Sequence, residues 1–187
     1  IQLNASAPTT FSLTYSGNTN TSGTAPTDGN SPYSSGATVT VLANTGSLAK
    51  TGYTFSGWNT LADGSGTDRA PVSTFSMPAA NTTLFAKWVI NTYTVTYDGN
   101  TNDGGSAPVD GSSPYNYNSN VTVLGQGTLT KTGFSFNGWN TAADGSGPPY
   151  AAAATINGIA ANVTLFAQWI PDNTYSVTYN GNGNDGG

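Results

Sequence analysis

The chain has 187 residues, a formal net charge of −5 and only 7% charged residues, with no Cys, His or Glu. Without those three residue types, acid–base and nucleophilic chemistry falls to Asp, Lys or Tyr, so no catalytic residue and no enzyme activity are expected. Its four bases, Lys50, Arg69, Lys87 and Lys131, are scattered rather than striped, which argues against a nucleic-acid partner.

Ile1–Thr10 has no counterpart later in the chain and reads as an N-terminal extension, residues 1–10. A chain starting at Ile1 reads as a mature product or an excerpt. The first predicted strand follows, with Phe11, Leu13 and Tyr15 on one face and Ser12 and Thr14 on the other. A second strand is predicted over Thr38–Leu42, a third over Tyr53–Trp58 and a fourth over Thr82–Trp88. In the fourth, Leu84, Ala86 and Trp88 share a face. Between the last two lies Ala62-Asp63-Gly64-Ser65-Gly66, whose Asp-Gly supplies the positive φ of a tight turn. One short helical turn is expected after it, around Val72–Ser76, with Pro71 and Pro78 preventing anything longer.

The series then restarts. Tyr93, Val95 and Tyr97 repeat the first strand, Asn120–Leu124 the second, Phe134–Trp139 the third and Val163–Trp169 the fourth. Ala143-Asp144-Gly145-Ser146-Gly147 repeats the turn, and Ala151–Thr155 is the matching place for a helical turn. Tyr175, Val177 and Tyr179 begin the series a third time, before a Gly-rich tail. The expected division is therefore residues 11–90 and 91–171 for two modules, and 172–187 for the start of a third. Tandem copies build length, spacing and multivalency more readily than one catalytic pocket. The joints Val89–Thr92 and Ile170–Thr174 are short and partly apolar, unlike flexible Gly/Ser spacers, so a rod is expected. No stretch reaches the ~18–20 continuous apolar residues of a membrane span.

The signature is Tyr-x-Val-x-Tyr, a Gly/Asn-rich loop, Thr-Gly-Tyr-x-Phe-x-Gly-Trp-Asn-Thr, Ala-Asp-Gly-Ser-Gly, then Asn-x-Thr-Leu-Phe-Ala-x-Trp. It resembles the Listeria–Bacteroides repeat, the family that includes the internalin B-repeat. The resemblance covers nearly all of the chain beyond Thr10. It implies a mainly β, β-grasp-like module: a small twisted sheet with at most one short helix. It also implies an extracellular, cell-surface protein of bacteria or archaea, with tandem copies between an anchor and a distal domain. The loops Asn18–Ser31 and Asn100–Ser113 are longer than that family's usual pattern.

Several residues are candidates for more than architecture. Asp98, Asn100, Asn102 and Asp103 space oxygen ligands in the manner of a calcium loop. The register is off by one, no Glu follows, and the first copy, Ser16–Thr21, lacks any carboxylate. Turn chemistry is therefore the expected reading, with Ca2+ as the alternative and no cofactor expected. Lys50 and Lys131 are candidates for a covalent cross-link, against an ordinary edge lysine that blocks strand pairing. Trp58, Trp88, Trp139 and Trp169 are expected in the cores rather than as a glycan platform. Tyr33, Tyr115 and Tyr117 lie near the long loops and are the expected exposed aromatics. Sequons stand at Asn4, Asn20, Asn81, Asn120 and Asn162. Tyr175, Val177 and Tyr179 form a candidate assembly strand, given to the next subunit of a fibre. The expected function is a non-enzymatic extracellular structural repeat protein, a stalk, layer or fibre, with homotypic partners. The alternative is an adhesin that recognises glycans or a host receptor through its loops and tyrosines.

Overall fold

Alternation of apolar and polar residues carries through into short strands. In the computed structural model, which describes residues 8–173 and 175–179, the first module contains eight. These are β1 (Thr10–Phe11), β2 (Leu13–Ser16), β3 (Tyr33–Ser34), β4 (Thr38–Thr40), β5 (Tyr53–Asn59), β6 (Asp68–Arg69), β7 (Thr74–Ser76) and β8 (Thr82–Ile90). The second module repeats them as β9 (Thr92–Tyr93), β10 (Val95–Asp98), β11 (Tyr115–Asn116) and β12 (Val121–Thr122). It continues with β13 (Phe134–Asn140), β14 (Pro149–Tyr150), β15 (Thr155–Ile156) and β16 (Val163–Pro171). Two compact units result, and the chain passes from one to the other between Thr92 and Tyr93.

Each unit is built on a four-stranded mixed sheet, ordered β2-β8-β5-β6 in the first and β10-β16-β13-β14 in the second. The first strand runs parallel to the last, from Leu13↔Thr82 to Ser16↔Phe85 and from Val95↔Val163 to Asp98↔Phe166. The third long strand is antiparallel to the last and carries a bulge, between Phe55 and Gly57 and between Phe136 and Trp139. Gly57 (φ 130°) and Gly138 (φ 90°) sit at the bulge. A Cβ there would lie 3.2 Å from Arg69 O or 3.0 Å from Tyr150 O, so only glycine fits without strain.

A separate two-stranded ribbon, β4 with β7 or β12 with β15, packs on the core side. It occupies the place where one helical turn was expected, and no described residue is helical. Phe75 and Met77 explain the difference, because both face the core across a spacing of two. Val72 (φ 60°) and Ala153 (φ 63°) take left-handed backbone just before the ribbon, which turns the chain rather than coiling it.

The first core gathers Leu13, Val39, Val41, Leu48, Trp58, Met77, Leu84 and Ala86. The second gathers Val95, Val121, Val123, Leu129, Trp139, Ile156, Ile159, Leu165 and Ala167. Trp58 and Trp139 are the largest fully buried side chains, as expected of core residues. At the expected start of a third repeat, the described residues 175–179 lie in no strand. Tyr175, Val177 and Tyr179 are 87%, 74% and 93% exposed, outside any strand. None of the described residues pairs with this stretch, and a strand without a partner is not stable alone.

Candidate functional site

The most repeated residues converge on one corner of each module. Trp58 Nε1 donates to Leu42 O at 2.8 Å, and the Tyr15 hydroxyl accepts from Leu42 N at 2.9 Å. Trp139, Tyr97 and Leu124 repeat both bonds at 2.9 Å. Tyr15 and Phe55 meet the Trp58 ring edge-on, with centroids 4.7 and 5.1 Å away, and Phe55 meets Trp88 in the same way at 5.8 Å. Such edge contacts contribute about 0.5–1.5 kcal/mol each beyond area burial. Burial pushes the Tyr15 and Tyr97 hydroxyls above the ordinary tyrosine value.

The residue after each core Trp organises the Asp-Gly turn. Asn59 is 1% exposed. Its Nδ2 donates to Gly64 O, Gly66 O and Asp68 Oδ1, and its Oδ1 accepts from Leu61 N. Asn140 does the same to Gly145 O, Gly147 O and Ala142 N. A Cβ on Gly66 would lie 2.4 Å from Thr60 Oγ1, which explains the second glycine of the motif. Asp63 and Asp144 accept from Ser65 and Ser146, and those bonds hold their carboxyls below the usual carboxylate range.

The calcium-loop candidates have identifiable partners. Asp98 Oδ1 accepts from Asn100 N at 2.7 Å. Asn100 Nδ2 donates to Ala143 O and Ala167 O, both at 2.8 Å. Asn102 Nδ2 donates to Gly104 O and Gly105 O, and Asp103 Oδ2 accepts from Thr132 N. That last bond lowers the Asp103 carboxyl. All four residues thus close the loop. Asn18 and Asn20 repeat the asparagine bonds without any acid present. Among the described residues, no three His, Cys, Asp or Glu side chains gather in one place.

Lys50 and Lys131 are each held locally rather than buried against an acceptor for cross-linking. Their Nζ atoms bond Thr19 and Thr101 and lie 4.5 and 4.6 Å over the rings of Tyr53 and Phe134. The expected exposed aromatics are half-buried instead. Tyr33 and Tyr115 pack against their cores, and their hydroxyls donate to Asp28 and Asp110 at 2.8 Å. Tyr117 is also half-buried.

The two modules differ at one cleft. In the first, a cleft of about 420 Å³ is lined by Asn18, Lys50, Tyr53, Asp63, Lys87 and Trp88, among others. Lys87 turns to Asp68, an ion pair that depresses the Asp68 carboxyl. In the second, Gln168 stands where Lys87 stood and bonds Ala142 O and Phe166 O. Its Oε1 lies 2.9 Å from the Cβ position of Gly145, whereas nothing lies within 4 Å of that of Gly64.

The sequons separate by the state of their side-chain nitrogen. Asn20 Nδ2 is engaged with two carbonyls. Asn81, Asn120 and Asn162 are exposed and use Oδ1, accepting from Ser12 N, Gly158 N and Thr94 N. Asn4 lies outside the described residues. Sequence reasoning missed Asn59 and Asn140 as organising residues, and it read Asn100 as a turn residue or calcium ligand without the distant carbonyls that it and Asn18 bond. Their recurrence at matching places in both copies was the available signal.

The Listeria-Bacteroides repeat domain matches this chain twice, over residues 11–87 and 93–168. A protein of Evansella cellulosilytica described as a Gly-rich membrane protein is 43% identical over 177 residues, 92% of this chain and 20% of its own length. A second membrane protein of that organism is 41% identical over 124 residues, 66% of this chain and 18% of its own. Internalin H of Listeria monocytogenes is 33% identical over 141 residues, 72% of this chain and 23% of its own. The chain thus spans about a fifth of the length of the curated relatives it matches. Among the described residues, no helix is long and apolar enough to cross a membrane. Two copies of one signature, each folded around its own Trp–Asn corner, place this chain in the Listeria-Bacteroides repeat domain family.

Proposed function

We propose that the chain is a non-enzymatic, extracellular structural segment that builds a surface stalk, layer or fibre. One observation carries this reading: the residues repeated most faithfully, Tyr15/Tyr97, Trp58/Trp139, Asn59/Asn140 and Asn18/Asn100, are engaged inside their own modules. A signature that serves its own fold in both copies suits a part whose task is to hold a distance. The names of the relatives, two membrane proteins and an internalin, support a place at the cell surface.

Homotypic contact is the specific extension. Tyr175, Val177 and Tyr179 present exposed side chains on a stretch that pairs with none of the described residues, and strand addition to a neighbouring subunit would cover them. Electron microscopy of the purified chain, with and without Tyr175–Gly187, tests both levels. Regular filaments that vanish on truncation support strand donation. Short uniform particles in both cases overturn donation and leave the stalk. Saturable glycan binding with no assembly overturns the structural reading in favour of an adhesin.

A further inference from the structure

In each module the second strand, β2 or β10, lies beside the last, β8 or β16, and points the same way. Tension on the chain enters the first module through Ser12 and leaves through Ile90. It drags β2 backwards and β8 forwards, along their common axis. β2 is the edge of its sheet, with β8 as its one sheet neighbour, so this seam bears the load. The upstream pair β1–β3 is only two residues long and adds little.

The seam is bonded along its whole overlap, and side chains extend it at both ends. At the start, Ser12 N donates to Asn81 Oδ1 at 2.9 Å and Thr82 N to Ser12 O at 2.8 Å. In the middle, Thr14 Oγ1 and Thr83 Oγ1 are 2.9 Å apart, beside the backbone ladder. At the far end, Asn18 Nδ2 donates to Ala86 O, and Trp88 Nε1 is shared between Gly17 O and Asn18 O. The second module keeps every one of these elements. Thr94 N bonds Asn162 Oδ1, Val163 N bonds Thr94 O, and Thr96 Oγ1 meets Thr164 Oγ1. Asn100 Nδ2 bonds Ala167 O, and Trp169 Nε1 is shared between Gly99 O and Asn100 O.

We propose that each module is a mechanical clamp: a load-bearing unit whose parallel terminal strands resist tension by shear. A bond of this kind contributes little at equilibrium, because folding exchanges it for bonds to water. Under shear the bonds share the load and must fail together, whereas peeling from one end breaks them in turn. Forced unfolding follows the unfolding rate, so the direction of pull matters even where stability is unchanged. The use of such a clamp in a surface stalk rests on the function proposed above; the clamp itself rests on strand direction alone.

Single-molecule force spectroscopy on the full chain tests it. Handles at the two termini load both modules in shear. Two ruptures of similar force are expected, each releasing about 250 Å of chain. The chain has no cysteine, so a Ser12→Cys/Ala80→Cys pair gives handles at one end of the β2–β8 seam. That geometry peels the first module, and rupture is expected at several-fold lower force. An unchanged melting temperature for this variant separates easier rupture from poorer folding. Asn18→Gly is expected to lower one of the two shear ruptures and leave the other. Equal forces in the two geometries, or no resolved rupture under end-to-end load, would overturn the clamp. Neither result bears on whether the chain assembles, which imaging reads separately.

Discussion

Asn18 Nδ2 donates to the Ala86 carbonyl oxygen at 2.9 Å, joining the loop after β2 to the middle of β8. The same nitrogen also reaches Ala62 O at 2.7 Å, and Asn18 takes left-handed backbone (φ 48°). Asparagine tolerates that conformation better than most residues. Asn18→Gly, which keeps the backbone and loses the bonds, is expected to cost about 1–3 kcal/mol in chemical denaturation. Asn18→Ala adds backbone strain and is expected to cost about 1 kcal/mol more. If Asn18→Ala melts like the parent, the loop is not held by this residue.

The bulge glycines give a sharper test. Gly57→Ala and Gly138→Ala place a methyl 3.2 and 3.0 Å from a backbone oxygen, at positive φ. Each is expected to destabilise its own module by about 1–3 kcal/mol, measured by thermal or urea unfolding. Gly64→Ala meets nothing within 4 Å and should show only the strain of its φ of 79°.

Asn59→Asp converts a buried amide into a carboxylate facing two carbonyls and Asp68. At neutral pH this is expected to cost about 3 kcal/mol or more, because Leu61 N still serves one oxygen but the other faces carbonyls and a second carboxylate with no donor. Acidification should recover part of the loss as that carboxyl protonates. A variant equally unstable at pH 4 and pH 7 would rule out charge as the cause.

The pH dependence of the parent should be simple. Asp63, Asp103 and Asp144 have carboxyls depressed by hydrogen bonds, and Asp68 by Lys87 first and Asn59 second. A folded pKa below the unfolded value of about 3.9 means stability that is fully present above that value. It is lost as pH falls through the depressed folded values. With no His and no Glu, a flat melting temperature between about pH 5 and 8 and a decline below about pH 4 are expected. A step near pH 6.5 would contradict this assignment.

Lys87→Gln copies the second module into the first. The Lys87–Asp68 pair is solvent-exposed, with side chains 35% and 60% accessible. Its removal is expected to leave the melting temperature close to that of the parent, because exposed pairs contribute little. A clear drop would show that the cleft beside Trp88 depends on this pair.

The strands and the repeat were legible because both are local patterns: Phe11, Leu13 and Tyr15 alternate, and Leu84, Ala86 and Trp88 share a face. The Trp58 and Trp139 cores followed from residue type. What stayed hidden depends on distant partners. Asn18 reads as turn chemistry until Ala62 and Ala86 arrive beside it. Asn59 looks like the end of a strand until the glycine carbonyls fold back over its amide. Phe75 and Met77 share a face two residues apart, but one such pair is too short a pattern to tell a strand from the short helical turn expected there. Tyr33 and Tyr115 looked free because nothing in their neighbourhood announces that Asp28 and Asp110 will receive their hydroxyls.

The parallel contact of β2 with β8, and of β10 with β16, also sets the order in which such a chain can be completed. Leu13 meets its partner only when Thr82 and the residues after it are available. Contacts of such long sequence separation are late and slow to form. A ribosome, or any pore the chain is threaded through, therefore releases unfinished modules until the final strand of each emerges. Maturation then advances in whole repeats, one closure for each complete copy delivered.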